Sequence, residues 1–174
     1  MKQLQLEELN RLSLETYKKK PKKKILVILE NVRSGHNIGA VFRTADAFLI
    51  EKIILTGITP TPPHPEIQKT ALGATETVEW EYHKDTLAYL KGIKQQGYLI
   101  VAVEQTDCSK TLPEIKAEPE GWALIFGHEV TGVSPAALDI CDLAIEIPQY
   151  GTKHSLNISV AAGIVLYTLT HIPK

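Results

Sequence analysis

Two patterns of apolar and polar positions alternate along this chain. Short continuous apolar runs stand at 25–29 (ILVIL), 98–103 (YLIVAV) and 122–126 (WALIF). Runs of that length and make-up read as strands buried on both faces. Residues 52–56 and 143–147 read as two more strands. Between them lie stretches of helical period. Residues 37–48 place Ile38, Val41, Phe42 and Ala45 on one side, and residues 86–96 form a second helix ending at Gly97, a favourable helix stop. Residues 66–72 and 135–140 predict two short helices, and the apolar stretch 158–167 a buried one. Leu4, Leu6, Leu9, Leu12 and Leu14 are spaced mostly for one face of a helix over 3–17. Four prolines within 59–65 exclude regular structure and predict a surface loop. Strands alternating with helices define an α/β fold, a mainly parallel sheet flanked by helices on both faces.

Length and composition narrow this only slightly. With 174 residues the chain builds one main domain, 25–174, preceded by an N-terminal helix and Lys-rich connector at 1–24. No window approaches the roughly 20 apolar residues of a membrane span. The first ten residues are polar and hold no apolar signal core. The expectation is a cytoplasmic protein with no membrane partner. Cys108 and Cys141 stand apart, so plain reduced thiols are expected, with no disulfide and no metal site.

Charge changes the picture more. The formal net charge is −1, yet Lys18, Lys19, Lys20, Lys22, Lys23 and Lys24 crowd around Pro21. Such a block is a candidate anchor for a polyanion. The alternatives are a solvated linker, or a gatekeeper that keeps the following strand soluble.

Three polar clusters sit where strands give way to loops and helices. The first runs from Asn31 through Arg33, Ser34, Gly35 and Asn37 to Arg43 and Thr44. Asn37 is placed as an N-cap, and Arg43 lies on the helix beside Ala40, Phe42 and Ala47. No Gly-Lys-Ser/Thr follows, which excludes a Walker loop. The second is Gly127-His128-Glu129-Val130-Thr131-Gly132-Val133-Ser134, a Gly-bracketed loop at the end of an apolar strand. Ser134 before Pro135 reads as an N-cap with proline at N1. The third is Ser155-Leu156-Asn157, opening the last apolar stretch. Ser155 reads as an N-cap, and the helix start offers free N–H groups to a polar ligand. No G-x-S-x-G elbow surrounds Ser155, and no GxGxxG occurs, so a serine hydrolase and a nicotinamide enzyme are disfavoured. Polar clusters at strand ends are where α/β folds hold ligands.

Taken in order, these clusters resemble the three motifs of the SpoU/TrmH family of RNA ribose 2′-O-methyltransferases, within the SPOUT superfamily. The matching text is NVRSGHNIGAVFRTAD at 31–46, LIFGHEVTGVS at 124–134 and IPQYGTKHSLNISVA at 147–161, with HPEIQKTALGA at 64–74 between them. The resemblance implies a C-terminal deep trefoil knot and S-adenosylmethionine as cofactor. By motif position the cofactor contacts fall at Val103, Gly127, Ile147 and Leu156. It implies a homodimer joined through the final helix, from Ser155 to about residue 171, with an active site formed across both subunits. Arg43 takes the catalytic position, with Asn37, Glu129, Ser155 and Asn157 as its polar companions. RNA, transfer RNA ahead of ribosomal RNA, is the implied substrate; from its charge the block of six lysines is expected to contact phosphate, with Arg33 a further RNA-binding candidate. A non-catalytic RNA-binding relative and a base methyltransferase are the rival readings.

Overall fold

The computed structural model describes residues 1–9, 11–115 and 119–171. In chain order the elements are α1 (Leu14–Lys19), β1 (Lys23–Glu30), α2 (Gly35–Ala47), β2 (Ile50–Thr56), α3 (Pro65–Ala71), α4 (Ala74–Thr77) and β3 (Glu79–His83). They continue with α5 (Thr86–Gln95), β4 (Tyr98–Val103), β5 (Lys110–Thr111), β6 (Gly121–Phe126), α6 (Pro135–Leu138), β7 (Leu143–Glu146) and α7 (Ile158–Thr170).

The described strands form one sheet in the order β3-β2-β1-β6-β4-β7-β5. Every pairing is parallel. Strands buried on both faces need a helix layer on each side, and β1 shows how one sequence serves both. Ile25, Val27 and Leu29 join the core that includes Ile38, Val41, Phe42 of α2 and Val165, Leu166 of α7. Leu26 and Ile28 point the other way, into the core with Leu90 and Ile93 of α5 and Ala137 of α6. The two-residue side-chain period of a strand makes this division. The expected mainly parallel sheet between helices is what the structure holds.

The winding is re-entrant. After β4 the chain visits the edge at β5, returns to the middle as β6 between β1 and β4, then leaves as β7 between β4 and β5. Because all strands are parallel, the loops that follow β1, β4, β6 and β7 open at one end of the sheet.

Several sequence expectations are corrected. The leucines of 3–17 do not form one helix. Leu6–Leu9 is a single 3-10 turn, and α1 starts afresh at Ser13, whose hydroxyl caps Thr16 N. Leu4, Leu12 and Leu14 are exposed, and of α1 only Tyr17 is buried. Residue 10 lies outside the described residues. The lysine run is not simply a connector either: Lys18 and Lys19 end α1, while Lys23 and Lys24 begin β1. Helix α2 is capped by Ser34, not Asn37, because the Ser34 hydroxyl reaches Asn37 N at 3.3 Å. Helix α7 is capped by Asn157, not Ser155; the Asn157 carbonyl oxygen accepts from Ser159 N at 2.9 Å. Two strands escaped the sequence reading. β3 is a five-residue edge strand of alternating charged and aromatic residues, and the two-residue β5 exists only by pairing with β7.

Candidate active site

A cleft of about 550 Å³ opens where β4, β6 and β7 end. Its apolar surface comes from Val103, Phe126, Ile145, Ile147, Leu156 and Ala161. Backbone groups dominate one wall, because Gly127 and Gly132 pass very close to each other. A methyl group on Gly127 would collide with the backbone of Gly132 and Val133. His128 N donates to the Gly132 carbonyl at 3.0 Å, and Gly132 N returns the bond at 2.9 Å. Gly132 itself has φ +70°, a left-handed conformation that glycine adopts without cost.

Contacts between the three clusters assemble this site from distant sequence. Asn157 donates through Nδ2 to Asn37 Oδ1 at 3.0 Å, joining residues 120 apart. Its own Oδ1 accepts from Ser159 Oγ at 2.7 Å as well as from Ser159 N. Glu129 accepts from Ser34 N at 3.1 Å and Arg33 N at 3.3 Å, fixing the loop that precedes α2. Burial alone would raise the Glu129 carboxyl, but the backbone N–H groups of Glu129, Ser34 and Arg33, with nearby His128, hold it below the usual carboxylate range. Beneath the loops, Glu30 is 2% exposed and accepts from Ser134 Oγ at 2.7 Å and Ser134 N at 2.9 Å. A buried carboxylate is tolerated only when so bonded, and here it clamps the end of β1 to the start of α6.

Of the residues singled out from sequence, Asn37, Val103, Gly127, Glu129, Ile147, Ser155, Leu156 and Asn157 all line this cleft. Arg43 does not. It is exposed, two turns into α2. Six residues beyond Asn37, it sits about 9 Å further along the helix and about a third of a turn away from that face. The lysine run is further still. It flanks the start of β1, and the seven steps from Lys23 to Glu30 span about 23 Å. Lys22 is also turned inward. Its ammonium lies 3.9 Å from the centre of the Tyr17 ring and donates to the Tyr17 and Lys20 carbonyls. Burial lowers its pKa, against the pull of Glu79 and Asp46. Lys22 is thus the one lysine of the run that is part-buried. Lys18, Lys19, Lys20, Lys23, Lys24 and Arg33 remain exposed.

Sequence reasoning missed Glu104, Gln105, Glu146 and His154, which also line the cleft. Glu104 and Gln105 had a usable signal: they directly follow a buried parallel strand, where α/β folds bind ligands. His154 is placed by tertiary contact, its carbonyl accepting from Gln105 Nε2 at 2.7 Å.

A parallel sheet with a glycine-walled cleft at its C-terminal edge defines a ligand-binding α/β domain. Comparison with known proteins gives it a place. The chain belongs to the SpoU rRNA Methylase family, whose model matches residues 24–167. It is 32% identical over 161 residues to the tRNA (guanosine(18)-2'-O)-methyltransferase of Thermus thermophilus, covering 92% of this chain and 81% of that enzyme. It is 30% identical to the 23S rRNA (guanosine-2'-O-)-methyltransferase RlmB of Neisseria meningitidis, spanning 82% of this chain but 56% of that protein. Among solved structures, the A. aeolicus TrmH/SpoU tRNA modifying enzyme superposes with TM-score 0.79 at 31% identity, covering 90% of this chain and 79% of its own. The AdoMet-bound rRNA methyltransferase from Sinorhizobium meliloti superposes with TM-score 0.79 at 27% identity, covering 85% and 56%.

Proposed function

We propose that this protein transfers a methyl group from S-adenosylmethionine to a ribose 2′-hydroxyl of RNA, acting as a cytoplasmic homodimer. One observation carries the reading: the three polar clusters converge on a single cleft, tied by the Asn157–Asn37 and Glu129–Arg33/Ser34 contacts. The cleft suits the cofactor. Apolar side chains at Val103, Phe126, Ile147 and Leu156 offer surface to an adenosine, and the close Gly127–Gly132 crossing leaves backbone groups unobstructed. When bound, S-adenosylmethionine supplies an electrophilic methyl on a positively charged sulfur.

The chain's own residues then have separable tasks. Asn37 and Asn157 hold each other and the start of α2 in line with the cleft. Ser155 and Leu156, exposed at its mouth, meet ribose and cofactor. Glu129 shapes the loop carrying Arg33. Aligned reactants can supply much of the acceleration for such a displacement. The 2′-hydroxyl must also lose its proton, and Arg43 is not the acceptor, because a guanidinium stays protonated in proteins. Arg43 instead clamps RNA phosphate and stabilises the developing alkoxide, while the proton passes to a phosphate oxygen or water.

Arg43 lies outside this cleft, and in the proposed dimer the second copy carries it there. Helix α7 offers a surface for that copy. Val160, Ile164 and Tyr167 fall on one face and are 50%, 36% and 57% exposed, opposite the buried Ala162, Val165 and Leu169. A helix apolar all round is normally covered on both sides. The C-terminal segment is proposed to thread as a deep trefoil knot, in keeping with β6 and β7 flanking β4. Transfer RNA is the favoured substrate, on the strength of the match to the Thermus tRNA enzyme over 81% of its length.

The test is incubation with labelled S-adenosylmethionine and separate pools of unmodified tRNA and rRNA, followed by nucleoside mass spectrometry. A 2′-O-methyl nucleoside from the tRNA pool, lost in Arg43→Ala, is expected. A base-methylated product, or cofactor binding without transfer to either pool, would overturn the reading. Arg43→Lys with near-full turnover would refute the bidentate clamp.

A further inference from the structure

Three carboxylates line the cleft: Glu104, Glu129 and Glu146. Two have tasks elsewhere in the fold. Glu129 holds the Arg33–Ser34 backbone, and Glu146 accepts the Ser109 hydroxyl at 2.9 Å, toward the β5 edge. Glu104 differs. It is half-buried directly after the last residue of β4, and the described ion pairs do not include it. Its Oε2 accepts from Val133 N at 3.0 Å and its Oε1 from Gln105 N at 2.9 Å. Those two bonds fix the side chain but occupy only half of the roughly four lone-pair sites of a carboxylate. Gly132 makes room for it, since a methyl there would collide with Glu104 Oε2. The result is an oriented negative charge beneath the glycine wall, without a cationic partner among the described residues.

We propose that Glu104 is the residue by which the cleft distinguishes the cofactor from its product. This rests on the cofactor assignment above. S-adenosylmethionine and S-adenosylhomocysteine share the adenosine, the ammonium and the carboxylate. They differ by one methyl and by the positive charge on sulfur. Backbone groups and apolar side chains that recognise the shared parts bind both molecules alike. A fixed carboxylate in a half-buried site attracts the ammonium of both molecules alike but the sulfonium of S-adenosylmethionine alone, and low local dielectric strengthens that preference. Each turnover removes the positive charge, so the same residue weakens the hold on the spent molecule and eases its release.

The experiment is isothermal titration of the full chain with each compound, for the wild type, Glu104→Gln, Glu104→Asp and Glu146→Gln. Glutamine keeps an oxygen to accept from Val133 N while removing the charge. Wild type is expected to bind S-adenosylmethionine more tightly than S-adenosylhomocysteine. Glu104→Gln should weaken the first about tenfold, which corresponds to about 1.4 kcal/mol, and change the second less than twofold. Glu104→Asp should keep the preference, and Glu146→Gln should leave the ratio unchanged. Equal weakening of both ligands would mean that Glu104 only braces the loop, and would overturn the proposal. So would a wild type without preference, or the same ratio change in Glu146→Gln. A wild type that binds neither compound would instead refute the cofactor assignment itself.

Discussion

Replacing Asn157 tests whether one side chain both starts α7 and joins the first and third clusters. Its Oδ1 caps the helix through Ser159 N and Ser159 Oγ, and its Nδ2 reaches Asn37. Asn157→Ala removes both. Loss of an N-cap costs about 1 kcal/mol, and loss of an exposed hydrogen bond between elements about 0.5–1 kcal/mol. The expected destabilisation is about 1.5–2 kcal/mol, a fall in melting temperature of about 4–5 °C for a chain of this size. Asn157→Asp separates the two contributions. Aspartate caps as well as asparagine, so about 1 kcal/mol should return. It cannot donate to Asn37 Oδ1, so the bond as it stands is lost, and the Asn37 amide must turn over to restore a link through its own Nδ2. Urea unfolding at a fixed protein concentration gives the stabilities, and methyl transfer gives the consequence for the site. Asn157→Asp should fold nearly as well as wild type yet transfer methyl groups slowly. An alanine variant within about 0.5 kcal/mol of wild type would refute the capping argument. An aspartate variant with full activity would refute the coupling argument.

Other outcomes follow from the same contacts. Gly127→Ala should abolish cofactor binding in titration, because its methyl would meet backbone rather than a movable side chain; unchanged affinity would show that the loop relaxes freely. Glu129 has a folded-state pKa held below its ordinary 4.5, so its stabilising effect is present above that pH and is lost as pH falls through the depressed value. The stability gap between wild type and Glu129→Gln should therefore narrow on acidification below 4.5; a gap that widens would reverse the assigned sign. Tyr167→Asp, on the exposed face of α7, should turn the proposed dimer into a monomer of 19.3 kDa by light scattering, and a wild type that already runs as a monomer would refute the dimer. Reversing the exposed lysines at 18, 19, 23 and 24 should weaken RNA binding and flatten its salt dependence; an unchanged slope would remove the run from the RNA-contacting surface.

The order of strands and helices was legible because it is written in local chemistry. The run ILVIL must be buried on both faces and Gly97 must end α5, and Pro60, Pro62 and Pro63 break structure as expected, whereas Pro65 opens α3 at its first position, where a missing N–H costs nothing. The three polar clusters were legible too, since polar residues at the ends of apolar strands have few other reasons to be there. Their roles within each cluster were not. Ser34 and Asn37 are both good capping residues, as are Ser155 and Asn157. Which one caps depended on where the chain enters the helix, and on the partner waiting 120 residues away. Periodicity misled at the N-terminus, where a leucine repeat lacked a sheet face to cover. It was silent on β5, whose two residues become a strand only beside β7.

Distance is what the sequence withheld most completely. Arg43 is six residues from Asn37 and shares its motif, yet helix geometry turns it off the cleft. Glu104, unremarkable in sequence, is brought under the glycine wall because Gly132 has no side chain to keep it out. The sequence by itself determined the α/β layering, the polar clusters and the family, because burial preference, backbone restriction and motif order act locally. Only the tertiary structure decided which cluster residues face one another, since that depends on strand order and on packing between residues far apart in the chain.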